Sequence, residues 1–149
     1  MVFEVMFSFD GNAKQAADFY AGVFGTKVEK IIKFSDAPAH PDFPMNPKDK
    51  DKVCYVGVPM GGGLVLMMSD MPSDVKEMPG YKKGLVVGNN VSPTLSFDTV
   101  EETQKVYAKL AEGGEQLMPL GKTFFSESYG TVKDKFGIIW SITKLVENK

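Results

Sequence analysis

With 149 residues, 43% of them hydrophobic, the chain is long enough for one compact domain with its own core and too apolar for general disorder. A formal net charge of -2 without a basic stripe argues against a nucleic-acid partner, and no uncharged apolar run approaches the length of a membrane span. Cys54 is the only cysteine and His40 the only histidine, which excludes an internal disulfide and any site needing two histidines from one chain.

The opening Met1-Val2-Phe3-Glu4 has no basic stretch leading into an apolar run, so no signal peptide is expected, and a reducing cytoplasm is the expected location. Residues 3–9 read as a strand, with Phe3, Val5, Phe7 and Phe9 on one face and Glu4, Met6 and Ser8 on the other. The bulky odd set should meet a helix. Asp10-Gly11 makes a turn, and Asn12 is the expected N-cap, with Gln15 three residues on, close to a capping box. Ala13, Ala16, Ala17, Tyr20, Val23 and Phe24 then share a helix face, which Gly25 ends. A second strand is expected over Thr26–Phe34. Ser35–Pro47 holds Pro38, Pro41, Pro44 and Pro47, so it reads as a long loop, either a lid or a loose excursion. Lys48-Asp49-Lys50-Asp51-Lys52 reads as a solvated turn. Val53–Val58 and Leu64–Ser69 are strands joined at Gly61-Gly62-Gly63.

Residues 70–90, with Pro72, Pro79, Gly80, Gly84 and Gly88, read as a linker. A strand over Val91–Phe97 follows. Thr99-x-x-Glu102 is a capping box opening a helix whose inner face is Val100, Thr103, Val106, Tyr107, Leu110 and Ala111. Gly113-Gly114 stops it. Three strands, Gln116–Leu120, Phe124–Tyr129 and Ile138–Thr143, turn at Gly121-Lys122 and at Asp134-Lys135-Phe136-Gly137.

The chain repeats itself. Met6-Phe7-Ser8-Phe9-Asp10 returns 88 positions later as Thr94-Leu95-Ser96-Phe97-Asp98, and each copy leads into a helix and then strands. A duplicated unit of this size suggests that neither half buries its apolar face alone. The expected fold class is α+β: two repeated βαβββ modules forming a curved, mixed but mostly antiparallel sheet with a shared concave pocket. Module one covers about 1–72, a linker about 73–90 and module two about 91–146, within one domain.

The ordered set Phe9-Asp10-Gly11-Asn12-Ala13, Asp18-Phe19-Tyr20, Val23-Phe24-Gly25, Leu66-Met67-Met68-Ser69-Asp70, Glu112-Gly113-Gly114, Met118-Pro119-Leu120 and Asp134-Lys135-Phe136-Gly137-Ile138-Ile139-Trp140 resembles the vicinal oxygen chelate superfamily. That superfamily holds glyoxalase I, extradiol dioxygenases and fosfomycin- and bleomycin-resistance proteins. The chain is most similar to its PhnB-like group, which goes under glyoxalase-like and demethylubiquinone-methyltransferase-like headings. No glycine-rich strand-helix motif for a nucleotide-like cofactor is present, so the methyltransferase heading carries no weight. Members with chemistry hold a divalent metal through one residue, usually His, Glu or Gln, from each of four strands. Matching by motif, those positions are Glu4, then Leu66 or Met67 depending on register, then Ser92 and Ser141. A His and a Glu two apart, common in the third strand of PhnB-like proteins, become Tyr55 and Gly57. Only Glu4 is a competent donor. The resemblance therefore implies the fold without its metal site, no cofactor, a homodimer and a small-molecule ligand.

The residues themselves nominate a pocket. Glu4 on the even face of the first strand could bind a cation or act as a general base, or be a plain solvated glutamate. Met6, Ser8, Tyr55, Met67, Phe124 and Phe125 are the residues expected to reach a ligand, with Met68 and Tyr129 beside them. Ser92, Thr94 and Ser96, like Ser141 and Thr143, alternate with apolar residues and suggest a hydroxyl-lined face, or equally one turned to solvent. Nine methionines suit adaptable apolar surfaces, while core packing is the plain alternative for each. His40 would approach only if its loop folds over. Cys54 reads as an unreactive strand residue. The leading functional expectation is a metal-free binder of a small apolar or aromatic molecule. The rivals are a metal-dependent lyase, isomerase or dioxygenase-type enzyme, a metal-free enzyme using Glu4, and a dimer with no ligand.

Overall fold

A computed structural model describes residues 4–38 and 44–145. The chain divides into two compact units at Val86/Val87. The first holds strand β1 (Val5–Phe9), helix α1 (Ala13–Phe24), and strands β2 (Lys30–Lys33), β3 (Val53–Gly61) and β4 (Leu64–Asp70). The second holds β5 (Thr94–Phe97), α2 (Val100–Ala111), β6 (Glu115–Gly121), β7 (Tyr129–Lys133) and β8 (Ile139–Lys144). Both sheets have four strands in the same topology, β1-β4-β3-β2 and β5-β8-β7-β6. The first strand of each pairs parallel to the last, and the other pairings are antiparallel. The α+β class and the repeated βαβββ module follow directly from this topology.

Each sheet is covered on one face by its helix. Phe7 and Phe9 on β1, Val56 and Val58 on β3, and Leu66 and Met68 on β4 are buried with the inner face of α1. Tyr20, fully buried, meets the edge of Phe7 with ring centroids 6.2 Å apart. The buried stripe of α1 is Ala13, Ala16, Ala17, Tyr20, Ala21 and Val23; four small alanines let the helix lie close to the sheet. Phe24, expected in that stripe, is only half-buried. In the second unit Val132, Trp140 and Ile142 face Thr103, Val106, Tyr107 and Leu110 of α2. Burial raises the Tyr107 phenol pKa, and its hydroxyl donates to the Met118 carbonyl at 2.9 Å.

The two helices are capped differently. Thr99 and Glu102 form the reciprocal capping box of α2. Asn12 does not cap α1 with its side chain. Instead Asp70, at the end of β4, accepts from the Ala13 N–H at 2.9 Å and from the Val53 N–H at 2.9 Å. One buried carboxylate thus joins α1, β3 and β4, and it neutralises orphan donors at the positive end of the helix. Gly25 ends α1 in the left-handed conformation, with the Thr26 N–H returning to the Ala21 carbonyl at 2.9 Å.

Several boundaries differ from the sequence reading. The second strand is only Lys30–Lys33, and the strand of the second repeat starts at Thr94. Phe124–Ser128 is not strand: Thr123 and Ser126 close a turn on each other, and β7 begins at Tyr129. The buried Ser126 hydroxyl donates to the Ser128 carbonyl at 2.9 Å, giving this segment side-chain partners in place of a ladder. Lys48–Lys52 is not simply solvated either. Pro47–Asp49 is a 3-10 turn, and Asp49 is 1% exposed, accepting from the Ser73 N–H at 2.7 Å and pairing with the Lys52 ammonium at 3.0 Å. Residues 39–43 of the proline-rich loop, His40 among them, lie outside the described residues.

Burial alone would push the Asp49 carboxyl up, but hydrogen bonds from the Ser73 hydroxyl and backbone and from Lys52 more than offset it, so its pKa lies below the ordinary value. A carboxylate depressed in the folded state stabilises above its unfolded pKa of about 3.9 and loses that contribution as pH falls through the folded value. Urea titrations should therefore show the stability of the native chain dropping on acidification below about pH 4, with a shallower drop for Asp49→Asn. At neutral pH that variant should cost about 1.5–3 kcal/mol through weakened charge-assisted hydrogen bonds. Gly114 offers a second test. A Cβ there would collide with the Lys133 carbonyl oxygen, whereas one at Gly121 meets nothing within 4 Å. Gly114→Ala should cost about 1–3 kcal/mol by prying β6 from β7, and Gly121→Ala less than about 1 kcal/mol, both read as shifts in the thermal midpoint.

Candidate functional site

Alternation gives each sheet a second face, opposite its helix. In the first unit β1 and β4 run in register, Met6 beside Met67 and Ser8 beside Ser69. Met67 pairs onward to Gly57 on β3, and Gly57 to Lys30 on β2. Tyr55 occupies the same face of β3. Its hydroxyl lies 3.0 Å from where a Gly57 Cβ would stand, and Val65 is 3.1 Å from the same point. The tyrosine therefore folds down over the glycine and fills the space that a side chain would take. Met6 is half exposed, and the Ser69 hydroxyl contacts its sulfur at 3.8 Å. Glu4 precedes β1, exposed, on the Met6 side of the alternation. Leu66 is buried beneath α1, and Met67 lies on the open face.

The second unit has the same register with different contents. Thr94 on β5 pairs with Ser141 on β8, and Ser141 with Thr131 on β7. Ser96 pairs with Thr143, and Thr143 with Tyr129. The Ser92 and Ser141 hydroxyls hydrogen-bond each other at 3.0 Å. Thr143 donates to the Ser126 hydroxyl at 3.1 Å. Phe125 stands against Tyr129, ring centroids 5.1 Å apart at 72°, and Phe124 against Phe125, 5.0 Å apart at 85°. Phe124 is 100% exposed. The aromatics thus step from the sheet out into solvent.

Sequence alternation puts Met6, Ser8, Tyr55 and Met67 on one face in the first unit and Thr94 and Ser141 on one face in the second, as the registers have them; Ser92 lies just before its strand, bonded to Ser141. It put Phe124 and Phe125 on a strand, whereas they lie on the turn before one. It missed the buried hydroxyl relay in which Ser128 meets Thr103 of α2 at 2.7 Å, because nothing local links residues 25 apart. Among the described residues, no group of three or more His, Cys, Asp and Glu is placed to hold a metal ion, and no helix is long and apolar enough to cross a membrane.

A model of the Glyoxalase/Bleomycin resistance protein/Dioxygenase superfamily matches residues 4–142. The chain belongs to this superfamily. Protein YjdN of Escherichia coli strain K12 is 27% identical over 143 residues, covering 91% of this chain and 89% of YjdN. Protein PA1353 of Pseudomonas aeruginosa has a similar structure, with a TM-score of 0.73 at 29% identity over 96% of this chain and 98% of its own. The PhnB protein of Bacillus cereus shares the fold, with a TM-score of 0.71 at 24% identity over 97% and 100% of the two chains. A superfamily fold leaves the chemistry to the residues that line it.

The aromatic steps can be separated by mutation. Phe124→Ala should leave stability within about 0.5 kcal/mol of the native chain, since the ring is fully exposed. Phe125→Ala removes the edge contact on Tyr129 and should cost about 0.5–1.5 kcal/mol in urea unfolding.

Proposed function

We propose that this member of the superfamily binds a small apolar or aromatic molecule without a metal ion. One observation carries the reading: the donors at the family's ligand positions. Ser92 and Ser141 stand at two of them and satisfy each other at 3.0 Å. Met67 stands at a third, paired to Met6. Glu4 supplies a single carboxylate. Neither the carboxylate and thioether of Glu4 and Met67 in the first unit nor the two neutral hydroxyls of Ser92 and Ser141 in the second suit a first-row divalent ion, which prefers imidazole, thiolate or several carboxylates. The same positions suit an uncharged ligand. Thioether and aromatic groups make adaptable apolar contacts, and hydroxyls both donate and accept.

The rival reading, a metal-dependent lyase, isomerase or dioxygenase-type enzyme, draws on the family alone. Metal analysis of natively purified protein separates the two, followed by thermal unfolding with Mn, Fe, Co, Ni and Zn. A specific ion at a hundredfold over its Kd would stabilise the protein by about 2.7 kcal/mol. The metal-free reading expects far less than one equivalent of metal and no such shift. Stoichiometric metal that disappears in Glu4→Ala would overturn it and restore the enzymatic alternative.

A further inference from the structure

The duplication supplies an internal comparison. Register makes Gly57 and Thr131 equivalent, since each is reached from the first strand of its unit through the last: Met6–Met67–Gly57 and Thr94–Ser141–Thr131. Tyr55 and Tyr129 each lie two residues before that position. In the first unit the glycine lets Tyr55 fold down over the sheet. In the second Thr131 occupies that place, and the Tyr129 ring is met from the side by Phe125 instead. The same strand topology thus carries two methionines beside a folded-down tyrosine in one unit and hydroxyls beside an aromatic wall in the other. The fold does not demand those hydroxyls, because the first unit has Met6, Met67 and Gly57 at the same positions.

The hydroxyl face is also largely unused by the protein. Among the described residues, the Thr94, Ser96 and Thr131 side chains have no hydrogen-bond partner, while Ser141 and Thr143 each have one on another hydroxyl. The two rows lie about 7 Å apart along strands spaced about 4.8 Å, the footprint of a one- or two-ring molecule. Neither row contains a carboxylate or an ammonium. The adjoining row has Lys133 on β7 directly opposite Glu115 on β6, one charge of each sign. The two rows themselves therefore offer an anion or a cation no counter-charge. The wall is held in place: the Thr123 N–H donates to the Ser126 carbonyl at 2.8 Å and the Ser126 N–H to the Thr123 hydroxyl at 3.0 Å, which fixes the turn bearing Phe124 and Phe125. A fixed, fully exposed phenylalanine is a stacking surface at little ordering cost.

The geometry points to a neutral ring compound bearing hydrogen-bonding groups as the ligand of this face, resting on the Thr94 and Thr131 hydroxyls beside the Phe125–Tyr129 pair. This rests on the small-molecule reading above and specifies its ligand. Naphthol, naphthalene and naphthoate at neutral pH present the same ring with a hydroxyl, with nothing and with a negative charge. Amide NMR titration of the full chain should show naphthol binding more tightly than naphthalene and naphthoate more weakly than both, with shifts centred on β5, β7 and β8. Thr94→Val and Thr131→Val, which keep shape and strand propensity, should each weaken naphthol by roughly threefold to tenfold and leave naphthalene unchanged. Equal affinities for naphthol and naphthalene, with both variants silent, would overturn the hydroxyl assignment and leave the apolar-binder reading standing. Tightest binding of naphthoate would also overturn it. Binding of none of the three would overturn both.

Discussion

A four-stranded sheet with a single helix can bury only one of its two faces. Every feature of each unit answers that constraint. Alternation sends Phe7, Phe9, Val56, Val58, Leu66 and Met68 under α1, and Val132, Trp140 and Ile142 under α2. Each such side chain contributes about 1.5–3 kcal/mol once removed from water. The register then has no freedom, because a slip of one residue would exchange the two faces entirely. The parallel pairing of first and last strands needs a crossover that lands back on the sheet, and the helix supplies it.

Buried carboxylates hold the ends of these elements where hydrophobic packing has no directional grip. Asp70 gathers the start of α1 and the start of β3. Asp49 fastens the return arm of the proline-rich loop to the segment after β4. Asp134 does the same work in the second unit, accepting from the Phe136 and Ile138 N–H groups and from the Trp140 indole at 2.8 Å. Each carboxylate is almost fully buried and surrounded by donors, so its oxygens keep hydrogen-bond partners in the interior.

Packing leaves over one face of each sheet. One scaffold used twice can carry different chemistry on each, since a side chain on the open face answers to no core. Tyr55 lies over Gly57, where an added Cβ would meet its hydroxyl, and Tyr129 stands against Phe125 two residues before Thr131. That difference bears on how much of the candidate site could be read in advance. Face membership follows from parity, so the shared faces of Thr94 with Ser141 and of Met6 with Met67 were legible. The direction of an aromatic ring follows from neighbours on other strands, and it was not.

The sequence by itself determined the repeat, the α+β class, most of each helix face and the capping of α2, because each depends on residues a few positions apart. The Thr99–Glu102 box is complete within its own four residues. Tertiary structure alone decided the capping of α1, where Asp70 arrives from 57 residues away and leaves the Asn12 side chain without that role. It decided that Asp49, in a run of charges that looks solvated, is buried. It also decided what anchors the turn bearing Phe124 and Phe125: the Ser126 hydroxyl there meets the Lys144 carbonyl and the Thr143 hydroxyl of β8, 18 and 17 residues away. Local pattern records the geometry of neighbours in the chain. Hydrogen bonds between distant segments exist only after the sheet has formed, and they leave no periodic trace.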